Sequence, residues 1–163
     1  MRNRIWAELT QSKHNIEFAS MYSDRQRAIL RIFNMGILIF SSAGIMGWKI
    51  WENLPLIACI IIAGISLIRL LQPHLIMNEK QLKNLDDIHR FYADYYNNIE
   101  KLWYDLESNR INEEQATKSF FKLKNLETDI NPLIAETIRS KPKRLLKKCK
   151  KNSDDYFKQV FSI

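Results

Sequence analysis

Eight cationic side chains fall within thirteen residues: Arg139, Lys141, Lys143, Arg144, Lys147, Lys148, Lys150 and Lys151, with no acid among them. Cations at this density neutralise a polyanionic surface. Three surroundings fit. Water alone would make the run a solvated face. An anionic lipid surface would gain about 1 kcal/mol per cation near the membrane. A phosphate-bearing ligand, nucleotide or nucleic acid, would have several phosphates neutralised at once. Exposed aromatics would add base stacking to the third. Phe91, Tyr92, Tyr95 and Tyr96 are numerous enough, but Tyr92 and Tyr95 fit an apolar seam better.

The other reactive side chains are dispersed. His14, His74 and His89 stand alone, without metal-ligand spacing. The acidic pairs Asp86–Asp87, Glu113–Glu114 and Asp154–Asp155 are sequence neighbours. On a helix such neighbours diverge by about 100°, so they read as surface charge rather than as an acid/base dyad. Cys149 sits among four lysines, which would lower its pKa, but no base accompanies it. Cys59 lies in an apolar run, and two thiols so placed do not suggest a disulfide framework. No catalytic, cofactor or metal site is read. Gly36, Gly44, Gly47 and Gly64 all lie in the two most apolar stretches. The polar remainder, lacking glycine, excludes a glycine-rich phosphate loop and favours helices over tight hairpins.

Those apolar stretches are the elements that would position the cations. "IFNMGILIFSSAGIMGW", Ile32–Trp48, extends with Ile29–Arg31 to about 20 residues, or ~30 Å of helix. "LPLIACIIIAGISLIRLL", Leu54–Leu71, is a second span that ends where Arg69 can snorkel. Trp48 and Trp51 mark the tip between them, as an aromatic belt would. Arg25, Arg27 and Arg31 precede the first span, and Lys80, Lys83 and Arg90 follow the second. By the positive-inside rule both termini are cytoplasmic. A single hairpin cannot enclose a pore, so conduction implies a homo-oligomer, for which a tetramer fits. Asn34 and Ser41 share a helix face with Ser42 beside it, and these are the pore-lining candidates. Ordinary helix packing in an anchor explains the same residues.

Beyond the spans the pattern is helical. Leu85, Ile88, Tyr92, Tyr95, Ile99, Leu102 and Leu106 recur at alternating steps of three and four, a heptad seam. The helix that carries them is expected from near His74 to about Glu107. "SNRINEEQA" reads as a turn and a restart, with Asn112 and Gln115 able to form a capping box. The returning helix shows Ala116, Phe120, Leu123, Leu126 and Ile130 on one face, and Pro132 is expected to kink it or to begin a new one. If it climbs back toward the membrane, it carries the basic run there. The reading is an all-α membrane protein: an N-terminal amphipathic cytoplasmic helix (1–28), a two-transmembrane hairpin (29–73), a cytoplasmic helical hairpin (74–138) and a basic C-terminal segment (139–163).

This layout, with "IW" first, "RQRAILRIFN" leading into the first span, the tight "WKIWENLP" turn and the tyrosine-rich "RFYADYYNNIEKLWYDLESNRI", resembles the SLATT family of bacterial two-transmembrane effectors. Within it the chain is most similar to the transmembrane effectors of Hailong-type anti-phage systems. The resemblance implies an inner-membrane channel, not an enzyme, whose opening depolarises an infected cell. It also implies a nucleotidyltransferase-like partner that makes a nucleotide signal, in the Hailong-type group a single-stranded DNA oligomer that holds the channel closed. The ligand would sit on the eight basic residues, an assignment that rests on charge. The alternative is a membrane-anchored helical adaptor whose basic tract binds anionic lipid or a partner protein.

Overall fold

A computed structural model describes residues 1–46 and 76–161, with positions 60, 62–64, 66, 67 and 70; for residues 40–46 only the backbone is described. The fold is all-helical, with no strand among the described residues. Helix α1 spans Arg2–Met46, α2 Glu79–Glu107, α3 Glu113–Thr137 and α4 Lys143–Phe161. The chain divides into two compact units: Met1–Ser23 with Lys83–Ile163, and Asp24–Leu82.

The first unit is a four-helix assembly around the α2 seam. All seven seam residues are buried, from Leu85 to Leu106. Ile5, Leu9, Ala19 and Tyr22 of α1 complete the core with Phe120 of α3 and Phe157 of α4. Contacts fix the directions. Arg2 pairs with Glu107 and the Met1 amine with Glu113, so α1 runs opposite to α2, and its start meets the start of α3. Cys149 meets Met21, whereas Phe157 and Phe161 meet Trp6, so α4 runs antiparallel to α1. One end of the unit is closed by Trp6, Trp103, Phe157 and Phe161, with ring centroids 5.0–5.6 Å apart.

Local chemistry sets the helix ends. The expected start near His74 is displaced to Glu79. Asn78 and Gln81 form a reciprocal box there, the Gln81 N–H donating to Asn78 Oδ1 (2.8 Å) and the Asn78 N–H to Gln81 Oε1 (3.1 Å). At its far end α2 closes with the Arg110 N–H donating to Asp105 O and the Asn109 N–H to Leu106 O. This is a Schellman closure, and it requires a left-handed residue at Asn109, whose φ is 53°. The expected Asn112–Gln115 box then starts α3. Pro132 does not break α3, which continues to Thr137. Pro132 and Thr128 are both exposed, so water can satisfy the carbonyl that proline leaves without a donor. Leu126, expected on the packed face, is 44% exposed; the face narrows to Ala116 and Phe120, with Leu123 and Ile130 half-buried.

In the second unit Ile76, Met77 and Leu82 are buried, but many of the other described large apolar side chains are not covered. Ile32, Met35, Leu38 and Ile39 of α1 are 55–70% exposed, and Ile60, Ile62, Leu67 and Leu70, all at helical positions, are 58–72% exposed. Among the described residues no helix is long and apolar enough to cross a membrane. The expected tip with Trp48 and Trp51, the side chains of Ser41 and Ser42, and Cys59 lie outside the described residues, as does most of Leu54–Leu71.

Candidate polyanion interface on the last helix

The basic run divides between two supports. Arg139 and Lys141 lie on the connection 138–142, and Lys143, Arg144, Lys147, Lys148, Lys150 and Lys151 lie on the first half of α4. Within that helix Cys149, Ser153 and Phe157, four residues apart, form a buried stripe. Leu145, Leu146 and Tyr156 flank it, half-buried. The stripe turns the cations outward, and all eight are exposed.

Contacts along its length hold the helix in place. Cys149 Sγ lies 3.4 Å from Met21 Sδ. Asn152 Nδ2 donates to Glu17 Oε2 at 3.5 Å. The Lys13 ammonium stands 4.0 Å from the Tyr156 ring centroid. Phe157 and Phe161 pack on Trp6. The basic half of α4 is thus at the end of the unit that carries Met21 and Ser23, away from the aromatic end.

The electrostatics of this half-helix are unbalanced. Among the described residues none of the eight cations is paired with a carboxylate, whereas Arg2, Lys13, Arg110, Lys118 and Lys124 all are. The first turn of α4 carries no acid and begins Lys143–Arg144, where the helix dipole is already positive. No side chain caps it among the described residues; the Pro142 carbonyl accepts the Leu146 N–H at 3.1 Å. Like charge at a helix N-terminus costs about 0.3–1 kcal/mol per residue. A bound polyanion would reverse the sign of that term.

A groove of about 470 Å³ adjoins the basic face between α1 and α4. It is lined by Thr10, Gln11 and His14 from one helix and by Lys150, Ser153 and Asp154 from the other. The Ser153 hydroxyl is buried, with no hydrogen-bond partner among the described residues. Lys150 therefore joins the exposed run to a polar recess. Sequence spacing gave no sign of this, because His14 and Lys150 meet only through the antiparallel packing of α1 on α4.

Two expectations are corrected here. Burial pushes the Cys149 thiol up, assisted by Glu17, and outweighs the lowering by Lys148; the cysteine faces inward while its lysine neighbours face water. Tyr92 and Tyr95 are buried in the seam, as their spacing expects, while Tyr96 is buried as well and Phe91 is half-buried and stacked on Tyr95, so these two do not form an exposed stacking platform either. The hydroxyls of Tyr95 and Tyr96 are satisfied internally. Tyr95 donates to Glu8 Oε1 at 3.0 Å and Tyr96 to Glu100 Oε1 at 2.9 Å. Burial, with Glu127 beside it, pushes the Tyr92 hydroxyl up to about 12.

Sequence reasoning also missed an ionic cluster that ties three helices. Lys124 donates to both Glu8 oxygens (2.8 and 2.9 Å) and to Glu127, and Glu8 accepts from Tyr95 as well. Burial pulls the Lys124 ammonium down, but its hydrogen bonds to Glu127 and Glu8 outweigh that, and its pKa is raised. With every member partnered, the cluster reads as a staple rather than a reaction centre. Among the described residues no group of three or more His, Cys, Asp or Glu could hold a metal ion. Of the pore-lining candidates Asn34 is exposed on α1 and faces a groove with Arg31, Met35 and Leu38.

No known protein family, curated protein or solved structure matches the chain.

Proposed function

We propose that this chain is a two-span protein of the bacterial inner membrane. It assembles as a homo-oligomer, conducts ions, and is gated from the cytoplasm by an anionic nucleotide or single-stranded DNA on the basic face of α4. The observation that carries the membrane reading is the exposure of Ile32, Met35, Leu38 and Ile39 on consecutive turns of one helix. Uncovered apolar area of this kind marks a surface that meets lipid or another chain. The sequence windows 29–48 and 54–71 supply the lengths that spanning needs, and the arginines before and the lysines after them supply the orientation.

The ligand reading is supported by α4. Six of its cations lie on the first half of the helix, exposed and, among the described residues, not paired with a carboxylate, next to a polar groove. Conduction, anti-phage defence and a nucleotidyltransferase partner rest on the resemblance to SLATT effectors. The adaptor reading shares the cations and differs in what they hold: anionic lipid or a partner protein rather than nucleic acid.

Purification tests the choice. A nucleotide-gated channel is expected to carry a species absorbing at 260 nm, and after its removal to bind short single-stranded DNA with an affinity that falls steeply with salt. A stripped protein that ignores oligonucleotides but binds anionic vesicles through the same lysines would replace this reading with the adaptor.

A further inference from the structure

The groove of about 470 Å³ between α1 and α4 lies wholly within the first unit. That volume suits a small ligand or one residue of a larger one. Its polar groups are short of partners. Ser153 is 2% exposed, and its hydroxyl has no hydrogen-bond partner among the described residues. A buried hydroxyl in that state is costly, so a group that pairs with it is favoured there. Among the described residues neither Lys150 nor Asp154 has an ion-pair partner. The rest of the lining leans to acceptors. The Thr10 hydroxyl gives its hydrogen to Trp6 O (3.0 Å), and the Gln11 amide donates to Asn15 Oδ1 (3.0 Å). The Thr10 oxygen, Gln11 Oε1 and the Asp154 carboxylate are left to receive donors, with the Lys150 ammonium beside them. Lys150 and Asp154 stand about 6 Å apart along α4. A ligand that satisfies both carries an anion at one end and a hydrogen-bond donor at the other.

We infer, on the nucleic-acid reading already proposed, that this groove seats one base of the bound strand and selects a base with an exocyclic amine. The amine donates to Asp154, the contact by which a carboxylate reads the N4 amine of cytosine. An acceptor on the same base edge takes the Ser153 hydroxyl hydrogen. Half-buried His14 supplies the aromatic face of the groove, against which the ring lies. The phosphate of that nucleotide rests on Lys150, and Lys147, about one turn earlier on α4, takes the next. Thymine presents a carbonyl where the amine would be, so two acceptors would meet at Asp154. The lysines thus hold any strand, and the groove tells one base from another.

The test uses the full chain, detergent-purified and stripped of nucleic acid. Fluorescence anisotropy measures its affinity for labelled oligo-dC and oligo-dT of equal length, which share ring size and backbone charge. Oligo-dC is expected to bind about tenfold more tightly, within the range of one good base contact. Asp154→Asn should raise both affinities slightly, by removing a negative charge, and bring their ratio to about one. Asp155→Asn removes the same charge outside the groove and should leave the ratio unchanged. Ser153→Ala should keep thermal stability and lower oligo-dC affinity about threefold. Equal affinities in the native chain, a preference for oligo-dT, a ratio that falls no further in Asp154→Asn than in Asp155→Asn, or an oligo-dC affinity unmoved by Ser153→Ala would overturn the base site while leaving the polyanion reading intact. Binding of neither oligonucleotide would remove the polyanion reading and the site with it.

Discussion

Helix α1 is one uninterrupted element with two opposite environments. Over Met1–Ser23 its large apolar side chains Ile5, Leu9 and Tyr22 are covered by α2, α3 and α4. Over 32–39 the same residue types, Ile32, Met35, Leu38 and Ile39, stand largely exposed. Helix propensity does not distinguish the two stretches, and what differs is the supply of partners within the chain. The first stretch has a stripe with polar residues around it, so three neighbouring helices suffice to bury it. The second is apolar on nearly every side from Ile32 to Phe40, a pattern of helices buried in a large core or in a membrane. On the proposed membrane reading, burial within the fold and burial in lipid would be two answers to the same hydrophobic term, and substitutions can tell them apart.

The largest effect should come from charging the exposed stretch. Ile32→Asp with Leu38→Asp would place two carboxylates at membrane depth at about 2.5–3.5 kcal/mol each. Membrane fractionation should show the protein shifted out of the bilayer, with the helical signal of the Met1–Ser23 and Lys83–Ile163 unit retained. In a water-exposed helix the same pair would change little, within about 0.5 kcal/mol.

Matched truncations sharpen the contrast. Leu9→Ala empties a fully buried site and should cost about 2–5 kcal/mol in chemical denaturation. Leu38→Ala, on the exposed stretch, should leave the unfolding of the first unit unmoved. Equal costs would mean that the two halves of α1 do not differ as described.

The basic face supplies the next step down. Reversing Lys147, Lys148, Lys150 and Lys151 to Glu should lower single-stranded DNA affinity about a hundredfold. It should also flatten the salt dependence by about 0.7 in log–log slope for each phosphate that the helix no longer neutralises. Because all four point outward from α4, thermal stability should change little.

The ionic staple gives a smaller effect. Glu8→Gln weakens the bonds from Lys124 and Tyr95 and should cost about 1 kcal/mol, since Lys124 is partly solvated. The cluster also sets an alkaline limit. Tyr92 holds its proton to about 12 and Lys124 beyond its ordinary range, so both protonated forms are favoured by folding. That stability is fully present below pH 10 and is lost as pH rises through about 12, with the fold binding more protons than the unfolded chain over that window. Urea midpoints taken across this range should fall, and should fall less in Tyr92→Phe.

Features carried by local spacing were legible in the sequence. The α2 seam was, because alternating steps of three and four place seven residues on one line. So was the Asn112–Gln115 box, because its partners are three residues apart. The same rule applied at Asn78–Gln81 would have put the start of α2 at Glu79 instead of near His74. The Glu8–Lys124 staple and the groove between His14 and Lys150 were not legible: their members are more than a hundred residues apart and meet only when α1 packs on α3 and α4. Cys149 failed for a related reason. Its sequence neighbours are lysines, but its spatial neighbour is Met21.

On the proposed reading, an apolar surface that meets lipid is joined to a cationic helix that meets a polyanion, with ion flow as the output. Purified protein in dye-loaded liposomes tests it most directly, with and without a short single-stranded DNA on the cytoplasmic face. The account predicts ion flux that the oligonucleotide changes in the native chain and no longer changes when Lys147, Lys148, Lys150 and Lys151 are reversed to Glu. Liposomes that stay sealed under every ligand condition, with the protein demonstrably inserted, would contradict it.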